Sequence, residues 1–278
     1  MGDGMAMSAR SRAPRNRFDF GRNWEDFSLQ VLDEDRLAEA QRSLEALLGA
    51  DALRGRRFLD VGCGTGMFTI AAARLGASEA VGLDVDARCV AVARRNAERF
   101  GAAGPALRFV EASVLDGEAL ARLGRFDVVY AWGSLHHTGR MYEAMDRAAA
   151  GAAPGGVLAL AIYNRHVTSP AWHGVKRFYQ ALGPGARQLM AGTFAVILFA
   201  AKLLVTRRNP LKKRRGMSFM VDVVDWVGGY PYEYASREEV ESHLRASGFT
   251  PERFVAAPVP TGCNEYVFRA PGGQRDGK

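Results

Sequence analysis

The sequence has few cysteines and no apolar segment at its start. Its three cysteines, Cys63, Cys89 and Cys263, show no paired or metal-like spacing, which argues against a disulfide framework and indicates a reducing, cytoplasmic setting with no bound metal. The opening residues "MGDGMAMSARSRAPRN" contain no apolar core. The sequence therefore predicts a flexible tail over residues 1–22 instead of a secretory signal.

A long apolar run is also lacking. One apolar segment, residues 189–205, includes Lys202, and its length falls short of the roughly 20 residues that span a bilayer. Two interpretations remain open: a buried lid helix with a solvated basic tail, or an interfacial helix at an anionic membrane surface. The second would place the protein peripherally at the inner face of the membrane, where an enzyme could collect an oily acceptor.

Charge is unevenly spread along the chain. The net charge is +7, from 37 basic and 30 acidic residues. Eleven basic residues lie in two patches. The rest of the chain has 26 basic residues and 30 acidic ones, so it is mildly acidic. Such patches suit phosphates, anionic lipid or nucleic acid, but no RNA-binding module accompanies them. The patches are Arg10, Arg12, Arg15, Arg17 and Arg22, and the basic run Arg207, Arg208, Lys212, Lys213, Arg214 and Arg215.

Strand and helix patterns alternate from residue 56 to residue 164 and return after residue 236. This alternation predicts an α/β fold with a mostly parallel sheet and helices on both faces. The predicted strands are 56–61, 79–85, 107–114, 125–133, 156–164, 253–259 and 264–270. The predicted helices cover most of 24–49, then 66–76, 87–101, 141–156 and 236–249.

The segment between the two halves of this pattern, residues 165–235, has aromatic and basic clusters but no strand–helix rhythm. Long insertions in α/β domains commonly cover the active site, so we expect a lid or substrate-binding element here. The predicted organisation is a basic tail (1–22), an N-terminal helical cap (23–55), a Rossmann-like core (56–164), the lid (165–235), the rest of the core (236–270) and a tail (271–278).

The stretch "FLDVGCGTG", residues 58–66, combines a glycine-rich turn with a carboxylate at its mouth, Asp60. The third glycine of the dinucleotide fingerprint would fall at position 67, where this chain has Met67. Asp60 would also repel a pyrophosphate. Both features disfavour an NAD-dependent oxidoreductase. S-adenosylmethionine (SAM) has no phosphate and carries an ammonium and a sulfonium, so it fits both features. Asp84, which ends the second strand, can take both ribose hydroxyls.

Three segments, "FLDVGCGTGMFTIAAARLGA", "VGLDVD" and "FDVVYAWGSLHHTG", resemble the class I SAM-dependent methyltransferases. The similarity covers residues 58–164 and 236–269 and implies seven strands and SAM as cofactor. It also implies that Trp132 and Gly133 line the sulfonium end, that Ser113 and Val114 flank the adenine, and that Trp24 folds over the cofactor. The SAM-binding residues implied are Asp60, Gly62, Cys63, Gly64, Gly66, Asp84, Val85, Ser113, Val114, Trp132 and Trp24.

Shorter motifs resemble a bacterial subgroup grouped with the ubiquinone-pathway O-methyltransferases. These motifs are "FGRNWEDFS", "LHHTG", "AIYN", "RGMSF", "DWVGGYPYE" and "CNEYVF". The ubiquinone-type enzymes carry an acidic residue before the histidine, where this chain has His136, so we predict no metal-assisted mechanism.

Candidate catalytic residues follow the fourth and fifth strands, at the sheet edge where ligands bind in such folds. His137 is the predicted base that removes the acceptor's proton, because histidine titrates near neutral pH. His136 and Tyr163 are the other candidates, and a histidine that only shapes the pocket is the alternative.

Acceptor contacts are expected from the end of the fifth strand and from the loop "DVVDWVGGYPYE", which is dense in polar and aromatic groups. Asn264 and Glu265, at the start of the last strand, suit a structural or a functional role equally. The predicted acceptor contacts are Asn164, Asp222, Asp225, Trp226 and Tyr230.

The sequence therefore predicts a SAM-dependent methyltransferase acting on a small or lipid-like acceptor, at oxygen. Two alternatives remain: methylation of a peptide, protein or RNA, and a non-catalytic SAM-binding accessory protein.

Overall fold

The computed structural model describes residues 28, 32–207 and 219–272, without the side chains of residues 201, 202, 205, 206, 219–222 and 225. Within these residues no helix is both long and apolar enough to cross a membrane. The strands are β1 (Arg57–Val61), β2 (Glu79–Asp84), β3 (Leu107–Glu111), β4 (Phe126–Trp132), β5 (Ala152–Tyr163), β6 (Thr250–Val255) and β7 (Cys263–Arg269). The helices are α1 (Glu34–Leu48), α2 (Met67–Arg74), α3 (Ala87–Arg99), α4 (Gly117–Leu123), α5 (Met141–Ala150), α6 (Ser169–Ala181), α7 (Pro184–Thr206), α8 (Phe219–Gly228) and α9 (Arg237–Ala246).

The strands form one seven-stranded sheet in the order β3-β2-β1-β4-β5-β7-β6. Strands β1 to β5 run parallel, while β7 pairs antiparallel with both β5 and β6. The predicted mostly parallel sheet is therefore confirmed. Because β1, β2, β4 and β5 end at the same edge, the residues that follow them are brought close together.

Helices cover both faces of the sheet. Leu37 of α1, Ile70 of α2 and Val90 of α3 are buried in one apolar cluster with the sheet. On the other face, Met145 of α5 and Leu244 of α9 are buried in a second cluster. Burial on both faces explains why the central strands are apolar almost throughout.

The predicted N-terminal helix is interrupted: Ser28 is helical, Leu32 and Asp33 are not, and α1 begins at Glu34. Asp33 caps α1 by accepting a hydrogen bond from the Arg36 amide at 2.9 Å, and Gly49 ends the helix with a φ of 107°. Residues 1–27 and 29–31, which include all of the predicted tail (1–22) and part of the predicted cap, lie outside the described residues.

Two boundaries in the core differ from the prediction. Helix α5 ends at Ala150, and Pro154 lies inside β5 instead of at the end of the helix. Pro154 is tolerated there because the register between β4 and β5 shifts between Phe126 and Val128, beside this part of β5. Helix α4 was not predicted, since its seven residues are too short for a helical period to stand out.

The described parts of the insertion contain three helices. The sequence predicted a helix over residues 189–205, where α7 lies, but did not predict α6 or α8. Helices α6, α7 and α8 pack together through Tyr179, Ala191, Ala195, Val223 and Val227. The expected loop around Trp226 is instead helix α8. Its β-branched sequence "FMVDVVDWVG" favours a strand, but packing against the neighbouring helices decides the conformation.

Candidate active site

The glycine-rich loop joins β1 to α2 at the carboxyl edge of the sheet. Gly62, Gly64 and Gly66 all have positive φ, at 77°, 53° and 75°. A Cβ on Gly62 would lie 2.3 Å from the Cβ of Ser134, in the loop after β4. The Ser134 hydroxyl donates to the Val61 carbonyl at 2.6 Å. The loop therefore needs glycine at position 62 for this close approach to the β4 loop.

Asp84 ends β2 and holds the glycine-rich loop. Its Oδ2 accepts a hydrogen bond from the Gly64 amide at 3.0 Å, and its Oδ1 accepts one from the Asp86 amide at 2.9 Å. Val85 beside it is 47% exposed. This places a fixed carboxylate and an open surface together where a ribose would lie.

Asp60 lies deeper than the mouth of the loop. Its side chain is buried on β1 and accepts a hydrogen bond from the Thr69 hydroxyl of α2 at 2.7 Å. Burial, reinforced by the Asp84 carboxylate and opposed by the bonds from Thr69, raises the pKa of Asp60 to about 7. Burial also raises the pKa of the neighbouring Cys63 thiol well above its ordinary value.

The residues expected around the adenine and the sulfonium follow β3 and β4. Val114 is buried in the core, and the Ser113 hydroxyl accepts from the Leu115 amide at 3.1 Å. The Trp132 indole Nε1 donates to Glu265 Oε1 of β7 at 3.1 Å, which gives Glu265 a structural role. Trp24 lies outside the described residues. The assignment of these residues to SAM stays a prediction.

Both histidines lie in a short 3₁₀ turn, Leu135–His137, after β4, and both are buried. The rings of His136 and Tyr163 are 4.1 Å apart between centroids, and those of His137 and Tyr163 are 5.6 Å apart. His137 Nδ1 lies 2.6 Å from the Pro231 carbonyl oxygen. The structure therefore brings the three predicted catalytic residues together.

His136 and His137 differ in their surroundings. Burial, with His137 and Lys176 nearby, lowers the pKa of His136 well below its ordinary value, so its ring stays neutral at neutral pH. The Pro231 carbonyl can only accept a hydrogen bond, so Nδ1 of His137 carries a proton. In the neutral ring the lone pair is then on Nε2, which is the tautomer a base requires.

Lys176 of α6 is a site residue that the sequence analysis missed. It is buried, its ammonium lies 5.5 Å and 4.9 Å from the ring centroids of Tyr163 and Tyr232, and it donates to the Trp226 carbonyl. The available signal in the sequence was the spacing of Lys176 and Gln180, which are four residues apart and so lie on one side of a helix. In the structure the Gln180 side-chain amide also donates to α8, at the Gly228 carbonyl. Lys176 thus ties α6 and α8 to the end of β5.

Three buried side-chain polar atoms in this cluster have no hydrogen-bond partner, and the described residues contain no other such side-chain atom: His136 Nδ1, the Tyr232 hydroxyl and Glu233 Oε2. The Glu233 amide donates to the His136 carbonyl at 3.0 Å, so these residues are neighbours. Buried polar groups are normally hydrogen-bonded, and their grouping at one place fits a ligand site.

The predicted acceptor contacts lie around this cluster but not all within it. Asn164 is held by other parts of the chain: its Nδ2 donates to the Pro260 carbonyl at 2.9 Å and its Oδ1 accepts from Asn264 at 3.0 Å. The Trp226 ring lies 4.0 Å from that of Trp172, and the Tyr230 ring 5.8 Å from that of His173. Asp222 and Asp225 are on α8, with side chains outside the described part of the structure.

The described residues contain no cluster of His, Cys, Asp or Glu that could hold a metal ion. The donor set at the glycine-rich loop does fit SAM. The loop residues 62–66 carry no basic side chain, and two carboxylates, Asp60 and Asp84, lie beside them. A ligand with positive charge and no phosphate suits that chemistry.

Comparison with known proteins gives the family. A family model described as a methyltransferase domain matches residues 32–201, more than half of the chain. Ribosomal protein L11 methyltransferases of Mannheimia succiniciproducens and Sodalis glossinidius are each 48% identical over 60 residues, which is 22% of this chain and 20% of theirs. The chain thus spans about a fifth of the length of these curated relatives.

Solved structures share the fold. Magnesium protoporphyrin IX methyltransferase from Synechocystis PCC 6803, with bound S-adenosylhomocysteine (SAH), is 15% identical with a TM-score of 0.55, over 89% of this chain and 93% of that one. The N-methyltransferase NodS from Bradyrhizobium japonicum WM9, also with SAH, is 17% identical with a TM-score of 0.51, over 90% and 98%. With this fold and the family match, the chain belongs to the class I SAM-dependent methyltransferases, with SAM as its methyl donor.

Proposed function

We propose that this enzyme methylates a hydroxyl oxygen of a small or lipid-like acceptor, with His137 as the base. The observation that carries the proposal is the 2.6 Å approach of His137 Nδ1 to the Pro231 carbonyl. This contact orients the ring and fixes the tautomer whose lone pair is on Nε2, the nitrogen that would take the acceptor's proton.

The donor end of the site is assigned to residues of this chain. SAM supplies an activated methyl group when bound. We infer that Asp84 holds the ribose hydroxyls and that the glycine-rich loop allows close backbone approach. The ammonium of bound SAM would favour the charged form of Asp60, whose pKa burial raises to about 7 without the ligand. The remaining walls of the SAM site would be formed by Cys63, Val85, Ser113, Val114 and Trp132. Trp24 would cover the bound cofactor.

The acceptor end would be formed by the aromatic and polar cluster at the ends of β4 and β5. Tyr163 and Tyr232 have ring centroids 5.0 Å apart, and the hydroxyl of Tyr232 is one of the three polar atoms without a partner. An acceptor could satisfy these atoms while its hydroxyl faces His137. We include Trp226, Tyr230, Asn164, Asp222 and Asp225 as outer contacts.

Residues 165–235 act as the lid in this proposal, and residues 23–55 as the N-terminal cap. Support comes from Lys176, which links α6 and α8 to the rings of Tyr163 and Tyr232. Ala235 also donates its amide to the Tyr163 carbonyl at 3.0 Å. The segment that would cover the acceptor is thereby joined to the residues that would bind it.

Transfer to oxygen is supported by the resemblance of the short motifs to the ubiquinone-pathway O-methyltransferases. Structural neighbours are described as acting on magnesium protoporphyrin IX or as an N-methyltransferase, so the fold alone does not select the acceptor atom. The similarity to the ribosomal protein L11 methyltransferases covers only a fifth of their length. We therefore do not propose protein L11 as the acceptor.

The test is SAM turnover with a panel of phenols, alcohols and hydroxylated lipids, with matched amines as the comparison. We expect SAH to form with a hydroxyl acceptor and the product to be its methyl ether. Turnover with amines alone would contradict transfer to oxygen, and SAM binding without turnover on any acceptor would favour an accessory role.

A further inference from the structure

Helix α7 exposes apolar side chains along one side. Leu189 is 74% exposed, Val196 70%, Ile197 55%, and Leu204 78%. Together with Leu203, which is 44% exposed, these positions fall within about 120° of one another around the helix at 100° per residue. They form a continuous stripe, which we call the α7 apolar face, defined by Leu189, Val196, Ile197, Leu203 and Leu204.

The opposite side of α7 already has a partner. Ala191 and Ala195 are buried against Val223 and Val227 of α8 and Tyr179 of α6. Helix α7 is therefore apolar on both sides, and among residues 32–207 and 219–272 the structure shows a partner for only one of them. A helix that is apolar all round normally lies in a protein core or in lipid, so the exposed stripe calls for an external partner.

The chain on either side of this helix carries charge of one sign over a long stretch. No acidic residue occurs between Asp146 and Asp222. Helix α7 ends at Arg207, which is exposed and has a φ of 51°. In the sequence Arg207 opens the basic run, which continues with Arg208, Lys212, Lys213, Arg214 and Arg215.

These charges distinguish between the possible partners. In a symmetric dimer the α7 apolar face would meet its own copy, and two positively charged surfaces would be brought together. An anionic lipid surface instead attracts basic residues and accepts apolar side chains just below its headgroups. Nucleic acid would match the charge but not the apolar stripe.

We propose that the α7 apolar face inserts into the interfacial layer of an anionic membrane, with the exposed Arg207 at the end of α7 held at its headgroups. The enzyme would then bind a lipid surface without crossing it. This inference depends on α7 alone and holds whichever acceptor is methylated.

The experiment is co-sedimentation of the full chain with vesicles of phosphatidylcholine, with or without phosphatidylglycerol. We expect binding to the anionic vesicles that weakens as salt rises, and much weaker binding to phosphatidylcholine alone. The triple variant Val196→Gln, Ile197→Gln, Leu204→Gln should lower the partition to anionic vesicles roughly tenfold or more, because three apolar side chains no longer leave water.

The matched control is Val255→Gln with Val259→Gln, which removes exposed valines (38% and 47% exposed) away from α7 and should leave vesicle binding unchanged. Calorimetry with SAM shows that each variant is folded and separates this test from the proposed methyl transfer. As a second readout, Val196→Trp should add fluorescence that shifts to shorter wavelength with anionic vesicles.

Any of four results would overturn the proposal. The first is a native protein that does not bind anionic vesicles at low salt. The second is a triple variant that binds them as well as the native protein does, and the third is an added tryptophan whose emission does not shift. The fourth is a stable dimer in light scattering that the triple variant dissociates, which would assign the α7 apolar face to a second copy.

Discussion

The Asp84 carboxylate accepts a hydrogen bond from the Gly64 backbone amide at 3.0 Å. This bond joins the end of β2 to the glycine-rich loop, so one side chain both shapes the loop and faces the place proposed for the ribose. Substitutions at either residue should therefore lower the affinity for SAM more than they lower the stability of the fold.

We expect Asp84→Ala to weaken SAM binding by roughly 10- to 100-fold, since hydrogen bonds to a charged group contribute about 1.5–3 kcal/mol. Gly64→Val should also weaken it, because valine is strained at a φ of 53°. Isothermal calorimetry measures both affinities.

Asp86→Ala is the matched control for Asp84→Ala. Asp86 caps α3 by accepting from the Arg88 amide at 2.9 Å, so its loss should cost about 1 kcal/mol of stability and leave SAM affinity within a few-fold of native. Native affinity in both Asp84→Ala and Gly64→Val would remove these residues from the SAM site.

His137→Gln should lower turnover by roughly 10² to 10⁴-fold at saturating acceptor while SAM binding is preserved, because glutamine cannot take the proton. His136→Gln is the adjacent control: its ring lies against Tyr163 and stays neutral, so a smaller loss is expected. Steady-state rates of the two variants check this. A larger loss at His136 or at Tyr163→Phe would transfer the role of base to that residue.

Asp60 makes stability depend on pH. Its folded-state pKa of about 7 is above its ordinary 3.8, so between these pH values the folded protein holds a proton that the unfolded chain has lost. Its contribution to stability therefore falls as pH rises through this window. Without SAM, the stability of Asp60→Asn relative to native should increase by about 3 kcal/mol from pH 5 to pH 8.

Urea unfolding of both proteins at pH 5 and pH 8 measures this difference. The other titrating groups are common to both proteins and cancel in the comparison. A difference that stays constant or decreases toward pH 8 would show that Asp60 is charged in the folded protein throughout.

Lys176→Met should destabilise the protein by about 1–3 kcal/mol, because it leaves the buried Trp226 carbonyl without this donor. Arg177→Met, at the next position on α6 and exposed, should change stability by less than about 0.5 kcal/mol. Thermal unfolding of the two variants is the measurement. Equal effects would mean that Lys176 does not tie the lid to Tyr163.

The sequence predicted the core of the fold, and it predicted which candidate site residues lie at one edge of the sheet, because both depend on local signals. Alternating patterns indicate the strands and helices, and the carboxyl ends of parallel strands bring Asp84, His137 and Tyr163 to one edge whatever the loop details. Two features depend on contacts between distant residues and could not be predicted this way. The burial of Asp60 against Thr69 needs the packing of α2 on β1, and the position of Lys176 needs α6 and α8 to pack together.

The most direct test of the proposed function is incubation of a cell extract with the enzyme and isotopically labelled methyl-SAM, followed by mass spectrometry. Asp84→Ala serves as the inactive control. We predict a labelled methyl group on the oxygen of a small molecule or lipid, formed by the native enzyme and strongly reduced with Asp84→Ala. Label found only in protein or RNA, or label on nitrogen, would contradict the proposed acceptor.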